Sequence, residues 1–179
     1  MGKPVVSMAE GSRLTVGARS VLVSASQETA LGVNHPVVLR TLRPSAEIAI
    51  GEDVGISGAS ICAATSITIG DGTLLGANVS IVDTDFHPIE SAARRYSSMP
   101  DPSEHDKVTI GPNVFIGTNT IVLKGSSIGE GSVVGAGSVI KGKFPPRSII
   151  AGNPARVIRQ FSVGDSTAHE HRVDQVGER

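Results

Sequence analysis

"VTIGPN VFIGTN TIVLKG SSIGEG SVVGAG SVIKGK" runs from Val108 to Lys143 and repeats every six residues. Ile110, Ile116, Val122, Ile128, Val134 and Ile140 fall at one phase. Val108, Val114, Thr120, Ser126, Ser132 and Ser138 stand two residues before them, and glycine follows at Gly111, Gly117, Gly129 and Gly135. Six is not a multiple of the 3.6-residue helical turn, and a plain alternating strand would not hold glycine at a fixed phase. The pattern predicts short extended segments, each ended by a turn, coiled into a solenoid in which two of every six side chains point inward. Three such sides close a triangular coil of about 18 residues, and stacked coils pair through parallel hydrogen bonds about 4.8 Å apart.

The phase extends upstream. Ile50 and Ile56 precede Gly51 and Ser57, and Cys62 continues the spacing, which places its side chain inward. One extra residue then moves the frame to Ile69, Leu75 and Ile81. Residues 45–83 and 107–143 each read as about two coils. The stretch 14–26 reads as a degenerate start, and 27–43 shows no phase. Between Asp83 and Lys107 the repeat stops for 25 residues. A loop of that length in a compact domain is usually functional. It opens with DTDFHPIE (83–90) and carries charges of both signs, among them Glu90, Arg94, Arg95 and Glu104. The expected organisation is one all-β domain over 1–161, with the loop 83–107 projecting from it, and a mobile polar tail over 162–179, where every pattern ends.

Composition narrows the function. The 179 residues carry a formal net charge of −1, so no overall excess of positive charge points to nucleic acid. Aromatics make up 3% and Trp is absent, which leaves the core to Val, Ile, Leu and Ala. Cys62 is the one cysteine, so no intrachain disulfide forms, in keeping with a reducing compartment. MGKPVVSMAE has no apolar core of the secretory kind, and no apolar run is long enough to span a bilayer. The expectation is a soluble cytoplasmic protein without membrane insertion.

Three features in order resemble the hexapeptide-repeat acyltransferase family, above all its galactoside and maltose O-acetyltransferase branch. They are the repeats themselves, DFHP (85–88) interrupting them, and FPPRSIIAGNPARVIRQF (144–161) closing them. The resemblance covers about residues 46–161. It implies a left-handed parallel β-helix, a hand that general chain topology would not suggest, since parallel crossovers are ordinarily right-handed. It also implies a homotrimer with acetyl-CoA lying in the groove between two helices.

The resemblance assigns candidate residues. His87 matches the general base that deprotonates the acceptor hydroxyl as it attacks the thioester, a task suited to imidazole. Asp83 and Asp85 are candidates to orient His87 or to bind the acceptor, and either one serves equally well as a turn cap. The backbone N–H of Thr118, after Gly117, matches the donor facing the thioester oxygen, where it would stabilise a developing oxyanion. Phe115 matches an aromatic beside the cofactor, and Ala136 a backbone contact to the pantetheine arm. Lys141, Gly142, Arg156 and Arg159 match positions near the CoA phosphates, within a stretch that also holds Lys143 and Arg147 and no acid. His35, His105, His169 and His171 have no comparable context.

The sequence also departs from that branch. Lys141–Gly142 replace its Thr–Lys pair, and the coil ISGASICAATS (56–66) lacks the acidic and amide residues that bind acceptor there. The stretch is closer to acetyltransferases of surface-polysaccharide synthesis. Asp83, Asp85 and His87 offer mixed metal ligands, but a zinc carbonic anhydrase of this fold needs three histidines from the coils, and the repeats contain none. No metal is expected. The activity implied is transfer of acetyl from acetyl-CoA to a hydroxyl of a sugar or glycoside. The alternatives are N-acylation of an amino-sugar nucleotide and a non-enzymatic β-helical scaffold.

Overall fold

The computed structural model describes residues 2–161; the predicted tail 162–179 lies outside them. In chain order the strands are β1 (Val5–Ser7), β2 (Arg13–Val16), β3 (Val21–Val23), β4 (Val38–Thr41), β5 (Glu47–Ile50), β6 (Gly55–Ser57) and β7 (Ser60–Ala63). Then come β8 (Ser66–Ile69), β9 (Leu74–Leu75), β10 (Ser80–Val82), β11 (Val108–Ile110), β12 (Phe115–Ile116) and β13 (Ile121–Val122). The chain closes with β14 (Ser127–Ile128), β15 (Val133–Val134), β16 (Val139–Ile140), β17 (Lys143–Phe144), β18 (Ser148–Gly152) and β19 (Ala155–Gln160).

Every third strand pairs with the next. Face 1 is β1-β4-β7-β10-β13-β16, face 2 is β2-β5-β8-β11-β14-β17, and face 3 is β3-β6-β9-β12-β15-β18, with β19 added beside β18. All pairings are parallel except β18–β19, an antiparallel hairpin whose turn holds a cis Asn153–Pro154 peptide bond. The chain therefore passes over three edges in turn, which we name 1/2, 2/3 and 3/1 after the faces they join.

The register stacks each inward aliphatic on its counterpart one coil away: Leu75 on Ile116 and Val134, Ile81 on Val122 and Ile140, and Ile69 on Ile110 and Ile128. All of these are buried, as are the residues two positions earlier, most of them small. The buried hydroxyls bond to backbone at the corners; Ser138 Oγ donates to Gly135 O at 2.6 Å and Thr73 Oγ1 to Gly111 O at 2.9 Å. Glycine is required where coils meet most closely: a Cβ on Gly117 would come within 2.6 Å of the Ala136 nitrogen. One residue in each of these turns is left-handed, recurring as Asn113, Asn119, Gly125, Gly131 and Gly137, and this explains the Asn or Gly that ends the first five hexads.

Two readings of the upstream region need correction. The buried residue of β7 is Ile61, paired with Leu39 and Ile81, whereas Cys62 is half-buried and faces outward. Ile56 and Ile61 are five apart and Ile61 and Ile69 eight, so the frame loses one residue before Cys62 and gains two after it. The stretch 27–43 contributes β4, with Leu39 and Thr41 inward. Its phase is hidden because 24–37 departs from the coil and only four residues return to it.

Ile128→Ala, which empties one fully buried site of the stack, should destabilise the protein by about 2–5 kcal/mol, read from a denaturant midpoint. A loss well under 1 kcal/mol would mean the coils close over the gap.

Candidate active site

The sequence-predicted residues collect on two different edges. The excursion 83–107 leaves face 1 after β10 and re-enters face 2 at β11, so it springs from edge 1/2. It contains two short 3-10 turns, Arg94–Tyr96 and Glu104–Asp106. Lys141 and Gly142, between β16 and β17, lie on the same edge. Thr118, after β12, and Ala136, after β15, lie instead on edge 3/1.

Edge 3/1 carries a ladder of donors. At each corner the first amide is used by the adjacent coil, as in Gly117 N–H to Val134 O at 2.8 Å, and the third is used too, as in Asn119 N–H to Ala77 O at 2.9 Å. The amide between them turns outward. Those of Ala77, Thr118 and Ala136 find no acceptor among the described residues and sit on successive coils. The Thr118 hydroxyl is engaged with Ala77 O at 2.6 Å, leaving the N–H as its free group.

The ladder ends at a cation. Ala151 packs under Gly135, and Arg156 pairs with Ala151 across the terminal hairpin, which brings Arg156 to edge 3/1 about three strand spacings, or roughly 14 Å, from Thr118. On the outer row of face 3, Leu74, Phe115, Val133, Ile149 and Arg159 follow one another in register. Phe115 is 46% exposed and Leu74 52%, an apolar surface with no cover in one chain. Arg159 also lies 5.6 Å from the Phe161 ring. The basic cluster of the sequence is thus dispersed: Lys143 falls on face 2 and Arg147 on the corner before β18, away from edge 3/1.

His87 is exposed at the start of the loop. Its backbone N–H donates to Asp85 O at 2.7 Å across Phe86, whose φ is 61°. A bond from i+2 back to i around a left-handed, bulky residue is the rare and strained form of the three-residue turn. Such strain persists only where surrounding contacts hold it, and it concentrates at functional sites. Neither ring nitrogen of His87 has a partner among the described residues.

The two aspartates part company. Asp83 is buried, with Oδ1 accepting from Ala64 N at 2.6 Å and Oδ2 from Thr65 N at 2.8 Å. It ties the loop's exit to the previous coil and contacts neither His87 nor solvent, so of the roles open to it from the sequence the structural cap is the one its geometry fits. Asp85 meets Lys124 Nζ at 2.8 Å, and the same ammonium reaches Asp106 Oδ1 at 3.3 Å. Sequence reasoning passed over Lys124, since it sits in an ordinary turn position of the repeat. A second clasp is Arg43, whose Nη2 donates to Met99 O at 2.9 Å and Pro100 O at 2.8 Å. Under the far end of the loop a polar cavity of about 280 Å³ is lined by residues that include Glu47, Thr65, Ser66, Glu104 and Lys107. The Thr65 hydroxyl is buried there without a partner among the described residues.

Burial pushes the Cys62 thiol up, away from the thiolate, so it is a poor nucleophile although it faces outward. Among the described residues no three His, Cys, Asp or Glu side chains gather to hold a metal, and no helix is long and apolar enough to cross a membrane.

With this geometry in view, the likenesses to known proteins fall into place. Residues 107–142 match the bacterial transferase hexapeptide family (six repeats). A maltose O-acetyltransferase from Clostridium difficile 630 superposes with a TM-score of 0.54 at 29% identity, covering 83% of this chain and 67% of that one. A galactoside acetyltransferase in complex with coenzyme A gives 0.52 at 26%, covering 87% and 65%. An N-acyltransferase from Bacillus cereus, with dTDP-4-amino-4,6-dideoxyglucose and coenzyme A, gives 0.59 at 18%, covering 86% and 84%. The chain thus spans about two thirds of the length of the first two. No curated protein matches the sequence itself. In its hexapeptide repeat and its parallel β-helical fold, the chain is similar to these acetyltransferases.

Burial raises the Asp83 carboxyl above its ordinary value of 3.8, against the pull of the Ala64 and Thr65 amides. A carboxyl raised on folding stabilises fully only below its unfolded value, and its contribution declines as pH rises through the folded one. Asp83→Asn turns an amide toward a backbone donor and should cost about 1–3 kcal/mol. That deficit should be largest in acid and narrow as pH rises, measured by urea unfolding of both proteins. A deficit that widened with pH would show that the two amides, not burial, govern the carboxyl.

Proposed function

We propose that the protein is an acetyl-CoA-dependent O-acetyltransferase acting on a hydroxyl of a sugar or glycoside, and that it works as a homotrimer. The observation that carries the reading is the donor ladder on edge 3/1, which ends at Arg156. A pantetheine arm needs N–H groups along a groove, and its phosphates need a cation at one end. The free amides of Ala77, Thr118 and Ala136 and the guanidinium of Arg156 supply both in that order. Phe115 and Arg159 flank the ladder on face 3. The thioester then lies beside the Thr118 N–H, which stabilises the oxyanion formed by attack at the carbonyl carbon.

His87 removes the acceptor proton as the hydroxyl attacks, and the CoA thiolate departs and is protonated. His87 belongs to edge 1/2 and Thr118 to edge 3/1, so a single prism keeps base and oxyanion donor apart. A cyclic trimer sets edge 1/2 of one copy against edge 3/1 of the next and forms a groove with both walls. Lys141 and Gly142 then face the cofactor from the copy that supplies His87. The uncovered apolar row of face 3 favours such close packing.

The maltose O-acetyltransferase likeness favours a hydroxyl acceptor over the amine of the rival reading. Thiol release from acetyl-CoA across sugars and amino-sugar nucleotides separates the two. A scaffold protein would release none with any acceptor.

Two variants probe the chemistry. His87→Ala should lower kcat by roughly 10²-fold or more with little change in KM for acetyl-CoA. Thr118→Pro deletes the oxyanion donor, and Pro112 already occupies the equivalent turn position before Asn113, so the corner tolerates the ring. Its kcat should fall about 10²- to 10³-fold. Near-full activity in either variant removes that residue from the mechanism.

A third variant probes the far end of the ladder. Arg156→Ala removes a charged contact remote from the reacting carbon, so KM for acetyl-CoA should rise about 10- to 150-fold with kcat nearly unchanged. The effect should shrink with dephospho-CoA donors if Arg156 meets the 3′-phosphate. An unchanged KM would make Arg156 a solvated end of the prism.

A further inference from the structure

Lys124 belongs to the turn after β13, one coil beyond the point where the loop departs. Its ammonium bridges Asp85, the third residue of the excursion, and Asp106, the last but one. The neighbouring Gly125 N–H also donates to Asp106 O at 2.8 Å. Asp106 is itself fixed, since its carboxylate accepts from Ser103 N at 3.1 Å. One cation therefore closes the two ends of a 25-residue excursion over the edge of the helix.

The closure bears on His87 directly. The Asp85 carboxylate is held by Lys124 while its carbonyl accepts the His87 N–H, across the strained Phe86. A left-handed φ at a bulky residue relaxes unless its flanks are pinned. Phe86 is pinned on one flank by this pair, and its own N–H donates to Thr84 Oγ1 at 3.2 Å. The pair also raises the Lys124 pKa, Asp85 being the largest cause, so the ammonium stays charged across the working range.

We infer that Lys124 is a positioning residue, whose bridge between Asp85 and Asp106 holds the Phe86 turn and thereby aims His87. This rests on the proposed role of His87 as base, and it adds a group that never touches substrate. Lys124 is only partly exposed, and its two ion pairs share one ammonium, so a neutral side chain leaves two carboxylates facing each other without a counter-charge. A misplacement of about 1 Å in a reacting group costs up to roughly 10²-fold in rate.

The test pairs amide exchange with kinetics in the full-length protein. In Lys124→Gln the amide of His87 should lose its protection, and kcat should fall about 10- to 100-fold while KM for acetyl-CoA stays put. Lys124→Arg, which keeps the cation and can span both carboxylates, should restore protection and most of kcat. Lys124→Met repeats the measurement should the Gln variant fold poorly. Unchanged protection at His87 in the neutral variants overturns the inference whatever the activity. Lost protection with full kcat overturns the positioning role if His87→Ala is inactive. If His87→Ala is equally active, the clamp stands and the general-base reading fails.

Discussion

Parallel pairing of each coil on the next sets every other feature of this molecule. It fixes the coil rise at about 4.8 Å and so demands that inward aliphatics stack in register. It also brings the corners so close that Gly117 has no room for a Cβ above Ala136. Within a corner two amides are consumed by the neighbouring coil and the one between them is turned out. A column of unpaired N–H groups along an edge is therefore a by-product of folding, needing no dedicated side chains. What distinguishes edge 3/1 is that the terminal hairpin places Arg156 at the end of its column.

That origin explains which parts of the molecule were legible in the sequence. The hexad from Val108 to Lys143 is regular because the corners there are all of one length, so phase alone identified the buried residues. Where a corner changes length the phase misleads. Cys62 kept the spacing of six yet turned outward, because the shortened corner at Gly58 shifts Ile61 into the core. β4 was invisible for the same reason, with the departure of 24–37 placed before only four returning residues.

The candidate site was legible in its parts more than in its arrangement. The family resemblance singled out His87, Thr118 and Arg156, but sequence order cannot say which edge a residue reaches. The basic stretch from Lys141 to Arg159 looked like one cluster, but it runs from edge 1/2 across faces 2 and 3. Asp83 and Asp85 looked equivalent, and burial separates them: one carboxylate is spent on the Ala64 and Thr65 amides, the other on a lysine 39 positions away. Lys124 carried no signal, since its partners lie at the two ends of a long insertion that only the fold brings together.

The central claim is that each reaction site joins His87 of one copy to Thr118 of another. Subunit mixing tests it most directly. His87→Ala and Thr118→Pro proteins, each inactive alone, are unfolded, combined in equal amounts and refolded, and native mass spectrometry is used to verify mixed trimers. Random assembly makes about a quarter of interfaces pair an intact His87 with an intact Thr118, so the account predicts recovery of about that share of wild-type activity. Mixed trimers that remain inactive would contradict it and place each site within a single chain.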